Sequence, residues 1–458
     1  MEFLNTPSSE PEFTGRQLVL LKQDKLDEGV QLIQELASLS STVSSTDPEQ
    51  DSHSVSEADI TVLETLGVAI INKPIDATHF LSLSAASEEP ESPILSVEPE
   101  QYFYALMDIG DRVIAKPQPS QSGEISLQYL QGYRDGIANL VDQLANQDSL
   151  PFKSILSQTW TDTAAATWGL QATNVVNSRY SGKGIKIAVL DTGFDLNHPG
   201  FQGRTIVSRS FVQSNKSLLP VQDLNGHGTH CVGTACGPRN PKTGMRYGVA
   251  YGAEIYVAKV LDDRPVIPKG LPGEILQGIE WAILQGCHVI SMSLGSPRKP
   301  GDVRPFYHKV MDRTLKAGSL VIAAAGNSRQ RPAGMPAVNT PADAPAAMAV
   351  AALDAREQVA DFSSQGDSVN GGQVDLIGPG VDVYSSYVLR TKAGSTTTGY
   401  SRLNGTSMAA PHVAGIAALY AEANPGTKGQ ALWSLLVQNA RRLPLASQDA
   451  GIGLVQAP

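Results

Sequence analysis

The chain predicts an α/β architecture, a doubly wound parallel sheet preceded by a small N-terminal α+β domain of ferredoxin-like order. Three observations carry this. From residue 185 onward, short apolar runs alternate with helix-like segments, the pattern of strands buried on both faces and joined by crossover helices. Before residue 107 the runs follow the order β-α-β-β-α-β. The 458 residues, 41% hydrophobic and 17% charged, can fill the core of a large domain and of a smaller one beside it.

Residues 1–15 are polar with two prolines and are expected to be disordered. The N-terminal domain is expected over 16–106. Arg16-Gln-Leu-Val-Leu-Leu21 reads as a strand, and 26–39 as a helix with apolar residues at Val30, Leu32, Ile33, Leu36 and Leu39. The Ser-, Asp- and Glu-rich stretch 40–58 reads as a mobile surface loop. Residues 60–72 give two short strands broken at Leu66-Gly67, 76–86 a helix, and 94–106 a last strand. A linker is expected over 107–159. Within it, 117–123 is a Pro/Ser/Gly-rich breaker, and 124–146 has apolar residues on one helical face, from Leu127 and Leu130 to Val141 and Leu144. That helix has a polar face of Asp and Gln with one Arg, which argues against a membrane-surface role.

The second domain is expected over 160–458. Its strand candidates are 185–190, 254–260, 288–292, 320–325, 348–352 and 374–377; its helix candidates are 273–285, 305–317, 411–422 and 428–440. In such a sheet, ligands bind at the carboxyl ends of the strands.

Three stretches bear chemistry. Asn404-Gly-Thr-Ser-Met-Ala-Ala-Pro-His-Val-Ala-Gly415 is a turn running into a small-residue helix. Ser407 stands at that boundary, among unpaired backbone N–H groups and a positive macrodipole. Thr406 or Ser407 could equally be an ordinary N-cap. Asn225-Gly-His-Gly-Thr-His-Cys-Val-Gly233 offers two histidines at a helix start, and a serine nucleophile needs such a base. Ile187-Ala-Val-Leu-Asp-Thr-Gly-Phe-Asp195 sets Asp191 at the end of an apolar strand, where an unpartnered carboxylate costs desolvation. Asp195 is its rival, expected as an exposed turn residue.

In content and order these stretches resemble the subtilisin family of serine proteases, whose chain order is Asp, His, Ser. The resemblance covers roughly 160–458. It implies Ser407 as nucleophile, His227 as base with His230 a packed neighbour, and Asp191 orienting His227. Val321-Ile-Ala-Ala-Ala-Gly-Asn-Ser328 resembles the segment carrying the oxyanion asparagine, here Asn327. Ser293-Leu294-Gly295 resembles the segment that pairs with the substrate backbone. Ala324 and Gly326 would belong to the opposite pocket wall, with Asn339 near its floor. No acidic residue falls there, so apolar or neutral residues are expected before the cut bond. Asp262 and Asp263 are expected as solvated turn carboxylates. The ending of the N-terminal domain resembles a subtilisin prodomain, a folding chaperone and tethered inhibitor, which implies a zymogen that cuts itself ahead of Trp160. Cys231 and Phe201-Gln-Gly-Arg204 resemble the proteinase K branch. No cofactor is needed for the chemistry. A structural calcium is expected weakly at Asp375, completed by backbone carbonyls of Pro345 and Ala347. Gly200 replaces the acidic residue of the family's stronger site, and 237–249 contains no acidic residue.

A net charge of −10 without a Lys/Arg cluster excludes a nucleic-acid footprint. No apolar run approaches the ~18 residues of a membrane span. The expected partners are a peptide or protein substrate and the chain's own prodomain, with no membrane. Met1-Glu-Phe-Leu-Asn-Thr-Pro-Ser-Ser-Glu10 does not read as a signal peptide. Cys231, Cys236 and Cys287 cannot make a disulfide framework, and the first two would face different sides of a helix. The cytoplasm is the expected compartment, with non-classical export as the alternative. Two other readings stand beside a general endopeptidase. One is a processing peptidase devoted to one leader peptide; the other is a non-catalytic peptide-binding protein on the same fold.

Overall fold

The computed structural model describes residues 12–45, 58–106 and 159–458, except 215–216, 266, 299–301, 303, 329–336, 368–370 and 391–395. The expected helix at 124–146 lies outside the described residues.

The N-terminal unit is a sheet of β1 (Phe13–Leu21), β2 (Thr42–Ser44), β3 (Ile60–Leu63), β4 (Val68–Ile71) and β5 (Ile94–Gln101), in the order β2-β3-β4-β1-β5. Helices α1 (Leu26–Ala37) and α2 (Ala77–Glu88) cover one face. Strand alternation sends Val19, Leu21, Ile60 and Ile71 toward those helices and Leu18, Leu20, Leu63 and Ile70 to the other side. Two expectations change. β1 begins at Phe13, inside the stretch expected to be disordered, and pairs there with Gln101. Part of the expected loop forms β2, because Asp59 accepts the N–H groups of Ser40 (3.0 Å) and Ser41 (3.2 Å) and holds the segment against β3.

After β6 (Phe103–Ala105) the described chain resumes at 159 and enters α3 (Trp168–Ala172). A seven-stranded parallel sheet follows. Its strands are β7 (Lys186–Asp191), β8 (Ile206–Ser210), β9 (Glu254–Lys259), β11 (Val289–Met292), β13 (Leu320–Ala324), β14 (Met348–Leu353) and β15 (Leu376–Pro379), in the order β15-β14-β13-β11-β7-β9-β8. Between them lie α4 (His227–Cys236), the short β10 (Lys269–Gly270), α5 (Pro272–Leu284), β12 (Leu294–Gly295) and α6 (Pro305–Lys316). The hairpin β16 (Val383–Arg390) and β17 (Thr396–Leu403) leads into α7 (Thr406–Ala423), and α8 (Gly429–Gln438) follows. The fully buried runs were legible as strands. β8 was not, because it is an edge strand, part polar, with alternating exposure. Among the described residues no helix is long and apolar enough to cross a membrane.

The open face of the N-terminal sheet is closed by α5 and α6. Leu18, Leu20, Leu66 and Ile70 belong to the same core as Ile275, Ile279, Phe306 and Val310. Polar contacts set the register. Glu100, paired with Arg16, accepts the N–H of Gly273 at 2.7 Å at the positive end of α5. Glu280 accepts the N–H groups of Thr65 (2.8 Å) and Leu66 (3.0 Å). Arg313 donates to the carbonyls of Leu21 (2.7 Å) and Gly67 (3.1 Å). From this platform β6 runs as the middle strand between β10 and β12, antiparallel to both.

Candidate active site

Ser407 is the second residue of α7, reached through Gly405, whose φ of 150° lies where glycine is favoured. Its carbonyl accepts the Ser293 hydroxyl at 2.9 Å and lies 3.5 Å from the Cys231 sulfur. Its Oγ lies 3.1 Å from the Ser293 carbonyl oxygen and directly against the carbonyl oxygen of Leu106.

The candidate base comes from α4. His227 opens that helix after Gly226, whose φ is 103°. Its Nδ1 is 2.7 Å from Oδ1 of Asp191 at the end of β7, and both side chains are fully buried. Nε2 has no hydrogen-bond partner among the described residues. The Asp191 carboxylate, the His227 ring and the Cys231 sulfur lie within 4.8 Å of one another, and that sulfur touches the Ser407 carbonyl. Sheet and helices therefore bring Asp191, His227 and Ser407 to one place at the carboxyl end of β7.

Asn327 follows β13. Its Oδ1 accepts the Thr406 N–H at 2.9 Å and the Thr406 hydroxyl at 2.8 Å, which turns Nδ2 outward. Nδ2 donates to the Leu106 carbonyl at 2.7 Å. The same oxygen that touches Ser407 is thus held by the candidate oxyanion donor.

The residues expected to bind substrate also converge. Leu294 pairs with Ala105 and Gly295 with Tyr104, while the Ser293 carbonyl accepts the Leu106 N–H at 3.1 Å. The Leu106 side chain lies against Gly295, where an added Cβ would be 3.2 Å from its Cδ1. Ala324 is buried in the same cluster as Leu106. Asn339 borders both Gly295 and Gly326. The second edge, β10, was not read from sequence: two residues carry no strand signal until a peptide pairs with them.

Several readings are corrected. Asp195 is 3% exposed, not a solvated turn residue; it accepts from Asn197 N–H and Gln222 and leaves His227 to Asp191. Asp263 is also buried, because Lys259 reaches it at 2.8 Å; Asp262 pairs with Arg264. Lys259 also donates to the Thr192 carbonyl at 2.6 Å, so a buried cation steadies the turn after Asp191.

Asp223 was missed. It accepts the N–H groups of Asn225 (2.9 Å), Gly226 (2.8 Å) and Thr229 (2.9 Å) and the Thr192 hydroxyl (3.1 Å), tying the start of α4 to the turn after β7. Its signal was an Asp just ahead of a helix start. His230 Nε2 donates to the Val383 carbonyl, 2.9 Å away, and burial pushes its pKa down to about 3, so it is a neutral packing residue. The three cysteines are free and buried, and burial pushes the Cys231 thiol well up, which makes it a poor nucleophile.

At Asp375, Oδ2 accepts the Ala349 N–H at 2.8 Å, and burial pushes the carboxyl up to about 7. Among the described residues no group of three acidic, His or Cys side chains gathers around it. One carboxyl biased toward its protonated form does not fit a hard cation that wants several charged oxygens.

Comparison with known proteins gives the family. The model of the subtilase family matches residues 182–454. Subtilisin BL of Lederbergia lenta is 39% identical over 293 residues, covering 63% of this chain and 96% of that protein. An alkaline protease of Shouchella clausii is 35% identical over 390 residues, 82% of this chain and 93% of that protein, so this alignment extends well beyond 182–454. A sheet with a Ser at the mouth of α7, a His at the mouth of α4 and a match of this length leave one assignment: the chain belongs to the subtilase family of serine peptidases.

Proposed function

We propose that this peptidase is an endopeptidase made as a zymogen, and that its first substrate is its own chain, cut after Leu106. The observation that carries this is the seat of the Leu106 carbonyl, 2.7 Å from Asn327 Nδ2 and against Ser407 Oγ. A product carboxylate or a scissile carbonyl needs the same two contacts.

In the proposed reaction His227 Nε2 takes the Ser407 proton as Oγ attacks the carbonyl carbon. Asp191, 2.7 Å from Nδ1, holds the ring's orientation and stabilises its protonated form. The Asn327 amide and the Ser407 backbone N–H receive the developing oxyanion. His227 then hands the proton to the departing nitrogen, and the C–N bond breaks to leave an ester on Ser407. Water, deprotonated by His227, releases the acid and restores the serine. The chemistry of the family needs no cofactor.

The retained N-terminal unit is then a product inhibitor, with Phe103 to Leu106 filling the cleft. Phe103 packs at a tilt against Tyr307 (5.4 Å between ring centres), and Leu106 lies beside Gly295. This supports substrates with an apolar residue before the cut and an aromatic residue three positions earlier. Labelling with a fluorophosphonate probe, absent in Ser407→Ala, tests the nucleophile. Sequencing the mature protein tests the cut, which is expected to expose Met107. An unlabelled wild-type chain that stays intact would overturn both.

Cys231 lies against the backbone of Ser407 and within the Asp191–His227 group. A mercurial bound there is expected to abolish activity, and Cys231→Ala to keep activity and lose the sensitivity. Full activity with mercury demonstrably on Cys231 would sink this.

Docking the N-terminal unit also couples to pH. Burial, opposed by Arg16, pushes the Glu274 carboxyl up to about 8. Unfolded glutamate titrates near ~4.3. Between those values the folded chain keeps a proton that the unfolded chain releases, so this contribution to stability falls as pH rises through the window. In the Ser407→Ala background, which keeps the unit attached, Glu274→Gln is expected to flatten the fall in melting temperature between pH 5 and 8. Parallel curves would count against it.

A further inference from the structure

We infer that Lys259, together with Asp263, is a positioning residue of the peptidase: the buried pair ties the turn after Asp191 to the segment that leads into His227, and its charge sets how readily His227 accepts a proton. This rests on the proposed reaction.

The pair takes no part in the chemistry itself, and burying it is costly. Both side chains are 1% exposed, with the ammonium 2.8 Å from Asp263 Oδ2. An ion pair out of water is seldom worth more to stability than the apolar side chains that could replace it. Its other contacts show what it holds. Lys259 and Asp191 stand opposite each other at the ends of β9 and β7, and the Asp191 carbonyl accepts the N–H groups of Val260 (2.9 Å) and Leu261 (3.2 Å). From there Lys259 Nζ donates to the Thr192 carbonyl at 2.6 Å and reaches the Gln222 carbonyl at 3.5 Å. Asp263 Oδ2 accepts the Leu224 N–H at 2.6 Å. Thr192 in turn donates its N–H to Asp191 Oδ1 at 2.7 Å, the oxygen that faces His227 Nδ1. Gln222 and Leu224 flank Asp223, which receives the N–H groups ahead of α4. One ion pair on the β9 side therefore grips both stretches of chain that set Asp191 against His227.

Its charge acts on the same place. Three carboxylates face the start of α4: Asp191 from the end of β7, Asp195 from the turn behind it, and Asp223 from the segment before the helix. Five donors converge on the Asp223 oxygens, as suits an anion. Burial pushes the Asp223 carboxyl up, and the Lys259 ammonium is among the groups that oppose this. The other titratable groups around the helix start are His230 and Cys231 of α4, His412 of α7 and Tyr387 of β16. Burial pushes His230 down to about 3, His412 down to about 4 and the Cys231 thiol well up, so these three stay neutral while His227 works. Carboxylates and neutral groups thus face His227, and the Lys259 ammonium offsets one negative charge among them. Without it a protonated His227 is held more firmly and becomes a base only at higher pH.

The test compares the self-processed full chain with Lys259→Met, Asp263→Asn and the double variant. kcat/KM for Phe-Tyr-Ala-Leu-4-nitroanilide is followed against pH, and its acid limb reports the free base. Lys259→Met leaves Asp263 uncompensated and is expected to move that limb up by about half a pH unit, less than a charge in direct contact gives. Asp263→Asn leaves the ammonium and is expected to move it down by a similar amount. The double variant is expected to return the limb to its wild-type place. Its kcat is expected to stay about tenfold low with KM unchanged, because Thr192 and Leu224 have lost their holds. The pH dependence of fluorophosphonate labelling follows the same base without turnover. A pair that merely supports the fold would lower activity without opposed shifts. Single variants whose limbs stay in place or move the same way, or a double variant with wild-type kcat, overturn the inference and leave the peptidase reading intact. Should neither single variant fold, the kcat of the double variant decides. A wild type that takes no fluorophosphonate at any pH instead removes the peptidase reading.

Discussion

Replacing Ser407 with Ala is expected to lower turnover about a millionfold, the scale established for removing the serine of a subtilisin triad. The reason lies in the division of labour. With no hydroxyl there is no ester, yet Asn327 and the cleft still hold a peptide, so a small residual rate above water remains. If His227 and Ser407 act as a unit, as proposed, adding His227→Ala is expected to cost little more. Cleavage of quenched-fluorescent peptides measures the first effect. Electrophoresis measures a second: the variant is expected to stay at the full 48.5 kDa, since Leu106 faces the same nucleophile. Turnover within tenfold of wild type, or cleavage at Leu106 at an unchanged rate, would refute the assignment.

Asn327→Ala is the next largest expected loss, ~100–1000-fold in kcat with little change in KM, a range established on a subtilisin and carried over to this relative. The amide is held before any substrate arrives: Thr406 donates to its Oδ1 through both N–H and hydroxyl, so Nδ2 can point only into the cleft. That pre-set donor strengthens as charge builds on the oxygen, which is why the loss is expected in kcat. The proposed self-cleavage would use the same donor and is expected to slow by a similar factor. Thr406→Val, which removes one of the two holds, is expected to give a smaller loss of the same kind. A variant that raised KM and spared kcat would show that Asn327 merely binds the ground state.

Much of this was legible without coordinates because the sheet is parallel and covered on both faces. β7, β11, β13 and β14 therefore read as unbroken apolar runs, each near its observed bounds. β8 and the β16–β17 hairpin escaped notice because each exposes one face, and their residues alternate between serine, threonine, arginine and apolar types. Asp195 and Asp263 were misread for a related reason. A carboxylate is ordinarily solvated, and only partners brought from elsewhere, Gln222 for one and Lys259 for the other, allow it to be buried. Asp223 illustrates the opposite failure, since its five hydrogen bonds to the Asp191 and His227 segments could not be told from an ordinary turn.

By itself the sequence determined the family, the parallel sheet and the four side chains proposed for the reaction, because each sits in a short stretch whose local conformation its own neighbours impose. Tertiary structure alone decided what lies in the cleft and behind it. Leu106 meets Ser407 across some 300 positions of chain, and Lys259 meets Thr192 across 67. Contacts of that kind depend on how whole elements dock: the Glu100, Glu280 and Arg313 contacts seat the N-terminal sheet on α5 and α6, and the pairing of β9 with β7 brings Lys259 to the turn after Asp191. No local pattern encodes the distance between two elements, so the occupant of the site and the ion pair behind it became visible only once the chain was folded.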